Sequence, residues 1–379
     1  MKYCIFWLSI LVLLIASCGR KKDEIQSGIT QLLDSLLVTE HEFNRFNGTV
    51  VVGNNDSIIY SKALGIANRV WNIPLQPDHR FDICSINKSF VAALVLMAVE
   101  ESRIALDDRL VDVLSAYGYN SMFGEQITIH QMLTHTSGLP DYDGVNDKLS
   151  ANEFRSFKRL HFSNHEYANF ISELKPVNQP GKQFYYSNFG YHLLIILLEE
   201  IYQLPFSQLL DEKICKPLSL KHTFSTDSNQ DVNSNVAEAY NYDKQANVWY
   251  RNEFIDLTLG RRIFSSTLDL YKWGKAMGDN SLLSEKSRAI MQSNHLSGIT
   301  ESISYGYGWV VFDGKRTYKM GDLKIEKKYI IHGGNTEGFK SMLVNIERGE
   351  FIVAILMNTG NQTDEINLTQ KIVQTLTNK

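Results

Sequence analysis

The sequence predicts an α/β (α+β) protein: one antiparallel sheet built from both chain ends and flanked by helices, with an inserted, mostly helical lobe and the site between the two. Three observations carry this expectation. Strand patterns occur at residues 47–65 and return only at 307–356. The chain between them has helical spacing of its apolar residues, with long loops. An amphipathic helix opens the folded part and another closes it.

In chain order, Ile29, Leu32, Leu33, Leu36 and Leu37 recur at helical spacing and define the opening helix. Asn47–Gly53 reads as a strand, Asn54–Asp56 as a turn and Ser57–Gly65 as the returning strand. Ser89 to Met97 is an apolar run with almost no polar face, which predicts a buried helix. Thr128–Thr134 reads as a helix running into a breaker-rich loop, His135–Pro140. Tyr191–Glu200 is another nearly all-apolar helix. The late strands are Tyr307–Val311, Tyr329–His332, Ser341–Asn345 and Phe351–Leu356. Thr363 is expected to cap a last helix through Ile366, Ile372, Val373 and Leu376.

The 379 residues are 44% apolar and 21% charged, an ordinary globular profile that can bury a sizeable core. The net charge of -4 leaves no basic surface for nucleic acid. The four cysteines, Cys4, Cys18, Cys84 and Cys215, form no CxxC and no paired His/Cys spacing, so no metal site and no cofactor are expected.

Lys2 followed by the apolar run Ile5–Ile15 reads as a secretory signal, too short for a confident membrane span. Ala16-Ser17-Cys18 resembles the lipobox of bacterial lipoproteins, which implies removal of residues 1–17, lipidation of Cys18 and an exported protein anchored to a bacterial membrane. Residues 18–27 are then a charged tether, and 28–379 the folded domain.

Ser85 and Lys88 lie three apart at the start of the buried helix, and so on one side of it. Burying a lysine favours its neutral form, and a desolvated amine beside a hydroxyl at a helix N-terminus activates a serine nucleophile. The same spacing recurs at Ser172 and Lys175, but that lysine precedes Pro176 and no buried run follows. Tyr186-Ser187-Asn188 follows a Pro180-Gly181 turn and precedes the second apolar helix, which places it in an ordered loop. Its counterpart Tyr250-Arg251-Asn252 lies in a polar stretch. A tyrosine acts as a base near neutral pH only if its pKa, ordinarily about 10, is strongly lowered, and an adjacent lysine ammonium would lower it. In His332-Gly333-Gly334 the glycines let another backbone approach closely, and exposed N–H groups there would bind an oxyanion.

Together these motifs resemble the serine β-lactamase and penicillin-binding-protein-like superfamily, in the branch of class C β-lactamases, DD-carboxypeptidases, D-aminopeptidases and esterases. Leu133–Leu139, Leu106-Asp107-Asp108, Pro217-Leu218 and Tyr305–Trp309 extend the likeness over roughly residues 28–379. The resemblance implies that Ser85 is the nucleophile, Lys88 its activating amine and Tyr186 the general base that later returns the proton. It implies that Asn188 holds Lys88 and the substrate amide, that His332, Gly333 and Gly334 line the pocket, and that the N–H groups of Ser85 and Asn335 form the oxyanion hole. Which of Lys88 and Tyr186 is the base stays open.

Three departures bear on substrate. His332-Gly333-Gly334 stands where β-lactamases of this branch carry Lys-Thr/Ser-Gly, so a carboxylate-binding hydroxyl is absent and the charge depends on pH. Cys84 stands where a glycine usually precedes the nucleophile and reads as a small core thiol. Gly260–Ser266 replaces a glycine-rich segment, with Arg261 and Arg262 either reaching the cleft to receive an acidic group or solvated. The expected activity is hydrolysis of an amide or ester through a Ser85 acyl-enzyme: a D-amino-acid peptide, an ester or, weakly, a β-lactam. The alternative is a non-catalytic sensor or binder of cell-wall peptides or β-lactams on the same fold.

Overall fold

The computed structural model describes residues 26–119, 126–146, 149–228, 230–252, 256, 261–314, 320–336 and 338–377. The expected signal segment, Cys18 and Gly260 lie outside them. Helix α1 spans 26–42, so residues 26 and 27, expected in the tether, already belong to it. Its Ile29, Leu33 and Leu37 are buried, while Leu32 is exposed.

Next come β1 (Gly48–Gly53), β2 (Ile58–Leu64), the short hairpin β3 (Ile66–Asn68) and β4 (Ile73–Pro74), and β5 (Phe81–Asp82). The middle of the chain holds helices α2 (Asn87–Glu100), α3 (Ile129–Leu133) and α4 (Asn188–Tyr202), with further helices of at most nine residues between. Strands β6 (Phe224–Thr226), β7 (Tyr240–Asp243), β8 (Val248–Arg251) and β9 (Arg262–Ser265) precede α5 (Thr267–Ala276). Strands β10 (Val310–Phe312), β11 (Tyr329–Thr336), β12 (Phe339–Ile346) and β13 (Phe351–Met357) lead to α6 (Glu365–Thr377).

The six-stranded sheet has the order β10-β11-β12-β13-β1-β2, antiparallel at every pairing. It is built from both ends of the chain, as the sequence predicts, with Val50 of β1 opposite Ile355 of β13. The period-2 alternation of side chains divides the core. Val51, Leu343, Ala354 and Leu356 pack with α2, α4 and Trp273 of α5. Val50, Val52, Val344 and Ile355 pack on the other face with Leu33 and Leu37 of α1 and with Ile372 and Val373 of α6.

Every residue of α2 from Asn87 to Ala98 is buried, as its lack of a polar face requires. Phe90 stacks on Trp273 at 4.0 Å between centroids, and the Trp273 indole N–H donates to Ser89 Oγ at 2.9 Å. Tyr307 and Trp309 are buried ahead of β10 rather than within it. Between them Gly308, at φ +69, lets the chain cross α2 so closely that a methyl group there would lie 2.5 Å from the Lys88 carbonyl oxygen. The cap of α6 is Asp364, whose Oδ1 accepts from Asn367 N–H at 2.9 Å. Thr363, expected in that role, instead donates its hydroxyl to the Arg45 carbonyl.

Candidate active site

Ser85 lies in a short helical turn, Cys84–Ile86, between β5 and α2. Several contacts fix that turn. Cys84 N–H donates to Asp82 Oδ1 at 2.7 Å, and Ser341 Oγ on β12 donates to the Ile83 carbonyl at 2.7 Å. Gly334 on β11 passes so near that a methyl group on it would lie 2.4 Å from Ser85 N. This is the close backbone approach that the two glycines predict. Cys84 has φ +53, in the left-handed region that favours glycine, and its buried side chain carries that strain. Burial also pushes its thiol up to about 12.

Lys88, one helical turn after Ser85, is 3% exposed. Its Nζ lies 3.4 Å from Ser85 Oγ and donates to Asn188 Oδ1 at 2.7 Å. Burial lowers its pKa to about 7, against the pull of Asp141, which favours the charged form. A neutral amine has a lone pair to accept the Ser85 proton while one N–H still holds Asn188.

Tyr186 lines the same cavity as Ser85, and its ring lies under Lys88 Nζ, 4.8 Å from the centroid. Burial pushes this phenol above its ordinary value, the opposite of the lowering that a tyrosine base requires. The ring stacks on His135 at 4.1 Å. His135 Nδ1 accepts from Ser187 N–H at 3.1 Å, which orders the Tyr186–Asn188 loop. Burial holds this imidazole well below its ordinary pKa.

His332 sits on β11 beside the nucleophile. Its Nδ1–H donates to the Gly333 carbonyl at 2.7 Å, leaving Nε2 to accept from the Tyr305 hydroxyl at 3.1 Å. Burial, then the nearby Lys88, lower its pKa to about 3. The expected pH-dependent charge is therefore absent near neutrality. Ser85 and Asn335 line both of two cavities that meet at the nucleophile. One, of about 490 Å³, is also lined by Asn87, Lys88, Asn188 and Asn241. The other, of about 370 Å³, is lined by Tyr186, His332, Gly333 and Gly334 and by Ile303, Val310, Met320 and Ile366.

The two arginines are not solvated; Arg262 reaches the cavity beside Ser85, with its guanidinium committed to Asp82. Arg262 is 2% exposed and donates through Nε and Nη2 to Asp82 Oδ2 at 2.9 and 2.6 Å. Arg261 pairs with Glu199 at 2.9 Å. The decoys stay apart from the site: Ser172 Oγ donates to the Asn169 carbonyl at 2.7 Å, and Tyr250 is exposed on β8. Sequence reasoning missed Asp82 and Asp141 as groups that brace the motif residues. Asp141 follows Pro140 in the loop after α3, and no spacing links it to Asn188, 47 positions away.

The family model described as Beta-lactamase matches residues 37–376. Penicillin-binding protein 4* of Bacillus subtilis (strain 168) is 23% identical over 332 residues, 82% of this chain and 68% of that protein. The chain spans about two thirds of the length of the curated relatives it matches. Among solved structures, the octameric penicillin-binding protein homologue from Pyrococcus abyssi superposes with a TM-score of 0.75 at 23% identity, covering 92% of this chain and 77% of that one. The D-amino acid amidase from Ochrobactrum anthropi SV3 superposes with a TM-score of 0.73 at 19% identity, covering 94% and 99%.

Proposed function

The chain is a serine hydrolase of the β-lactamase family, and on that premise we propose that it cleaves an amide or ester through an acyl-enzyme on Ser85. The observation that carries this is the buried Lys88 amine, 3.4 Å from Ser85 Oγ and lowered to about 7. In this reading Lys88 takes the Ser85 proton as Oγ bonds to the substrate carbonyl carbon. Tyr186, kept as a phenol, gives its proton to the leaving group as the carbonyl–leaving-group bond breaks, and Lys88 then reprotonates it. Water hydrolyses the ester by the reverse sequence. Asn188 orients Lys88, and the N–H groups of Ser85 and Asn335 receive the oxyanion.

The pocket beside His332 supports a substrate without a carboxylate on that side. The imidazole is uncharged and already engaged with Gly333 and Tyr305, and its neighbours include Ile303, Val310 and Met320. An ester or a D-aminoacyl amide suits this pocket better than a β-lactam, whose carboxylate would enter it unpaired.

Intact-mass spectrometry with a fluorophosphonate tests the nucleophile. A single adduct that disappears in Ser85→Ala supports it; an adduct retained in that variant overturns it. Hydrolysis of p-nitrophenyl acetate, a D-alanine p-nitroanilide and nitrocefin then ranks ester, amide and β-lactam. We also propose that Cys18 is lipidated and anchors an exported protein, on the strength of Ala16-Ser17-Cys18 after an apolar run. Membrane fractionation of wild type against Cys18→Ser tests this, and equal distribution of the two would refute it.

A further inference from the structure

Asp141 is more than 40 positions from Ser85, Lys88, Tyr186 and Asn188 in the chain, yet it is the next link after Asn188. Its Oδ1 accepts from Asn188 N–H at 3.1 Å and its Oδ2 accepts from Asn188 Nδ2 at 2.9 Å. The neighbouring peptide is tied in the same way, with Ser187 Oγ donating to the Pro140 carbonyl at 2.7 Å. One dipeptide thus docks on the other.

An asparagine amide can turn over, exchanging its oxygen and nitrogen at little cost in shape. At Asn188 the exchange matters, because only Oδ1 can accept from Lys88. A carboxylate accepts and never donates when ionised, so Asp141 selects the rotamer that aims Nδ2 at itself and Oδ1 at Lys88. We propose that Asp141 is a positioning residue, which fixes the Asn188 amide and, by its negative charge, sets the pH range in which Lys88 can act as base. This rests on the acyl-enzyme reading above.

The electrostatic half of the proposal depends on what else faces Lys88. Arg262 on β9 opposes the charged form of the amine. Burial keeps His135 and His332 neutral, and it pushes the Cys84 thiol and the Tyr186 and Tyr191 phenols up, so they too are uncharged near neutral pH. Asp141 is the largest influence favouring the ammonium; burial pushes the Asp141 carboxyl itself above its ordinary value, and Lys88 and the bonds from Asn188 oppose that rise and favour its ionised form. Removing the carboxylate charge lowers the Lys88 pKa further, so a larger share of the amine is neutral in mildly acidic solution.

The test is the rate of fluorophosphonate labelling of Ser85 across the pH range from about 5 to 9, in wild type, Asp141→Asn and Asp141→Ala. Asp141→Asn keeps the shape, removes the charge and gives up one of the two acceptors, so the charge is read from the position of the acid limb relative to the variant's own plateau. Its acid limb is expected to move to lower pH, so that the fraction of its own plateau rate retained near pH 6 is at least about threefold higher than in wild type. Asp141→Ala also frees the Asn188 amide and is expected to lower the plateau by about tenfold or more. An unmoved acid limb in a folded, labelled Asp141→Asn overturns the proposal. Absence of any Ser85 adduct in wild type overturns the acyl-enzyme reading beneath it, so the two failures are told apart by the wild-type lane. Circular dichroism of each variant excludes loss of fold as the cause.

Discussion

Asn188 accepts from the Lys88 amine at 2.7 Å, a shorter separation than the 3.4 Å between that nitrogen and Ser85 Oγ. The lysine is therefore aimed by its holder rather than by its target, and its lone pair is left for the serine. The acid limb of activity should then report this amine. Ester hydrolysis or Ser85 labelling should fall about tenfold per pH unit below a midpoint near 7, because protonated Lys88 has no lone pair. His332, lowered to about 3, contributes nothing in that window. Lys88→Ala should cost about 10²–10⁴ in kcat/KM. A flat profile down to pH 5 would remove Lys88 from the base role.

Gly334→Ala places a methyl 2.3 Å from Cys84 Cβ and 2.4 Å from Ser85 N. Neither neighbour can withdraw, since both belong to the nucleophile turn. We expect a loss of about 1–3 kcal/mol in denaturant unfolding, together with loss of Ser85 labelling. A labelled, equally stable variant would mean that β11 does not press on the turn.

Arg262→Ala leaves the Asp82 carboxylate buried without its guanidinium partner, a change that typically costs about 3–5 kcal/mol. The same carboxylate receives Cys84 N–H, so the nucleophile turn should loosen with it. Unfolding in urea gives the stability change, and the fluorophosphonate labelling rate reads the turn.

Cys84 and Cys215 are buried free thiols whose pKa values burial pushes up to about 12. The thiolate is the reactive form, so iodoacetamide near pH 8 should leave both unmodified in the folded protein and modify both in urea. Peptide mass mapping distinguishes the two states. Modification of native Cys84 would indicate that the turn before Ser85 opens.

The parts that local pattern encodes were legible in the sequence. The apolar, β-branched runs of β1 and β13 and the all-apolar α2 mark a two-ended sheet around a buried helix. Local context separates Ser85 from Ser172 and Tyr186 from Tyr250. What escaped depends on contacts between distant segments. Arg262 and Asp82 are 180 positions apart, and the bond between them exists only because β9 pairs with β5. The positive φ of Cys84 explains why a glycine suits that position, yet the cysteine itself reads only as a core thiol. The ionisation of Tyr186 and His332 was misjudged because pattern conveys neighbours, whereas burial sets these two groups.

The pairing of β1 with β13 has a kinetic side. A ribosome releases residues 48–53 some 300 positions before the partner strand 351–357 exists. Until then the strand has β2 on one edge and an open row of amides on the other. Closing so long a loop is slow, and the last strand must arrive before the sheet, and with it the β11 edge beside Ser85, can assemble. The complete sheet is therefore a late product of synthesis, formed only once nearly the whole chain is available.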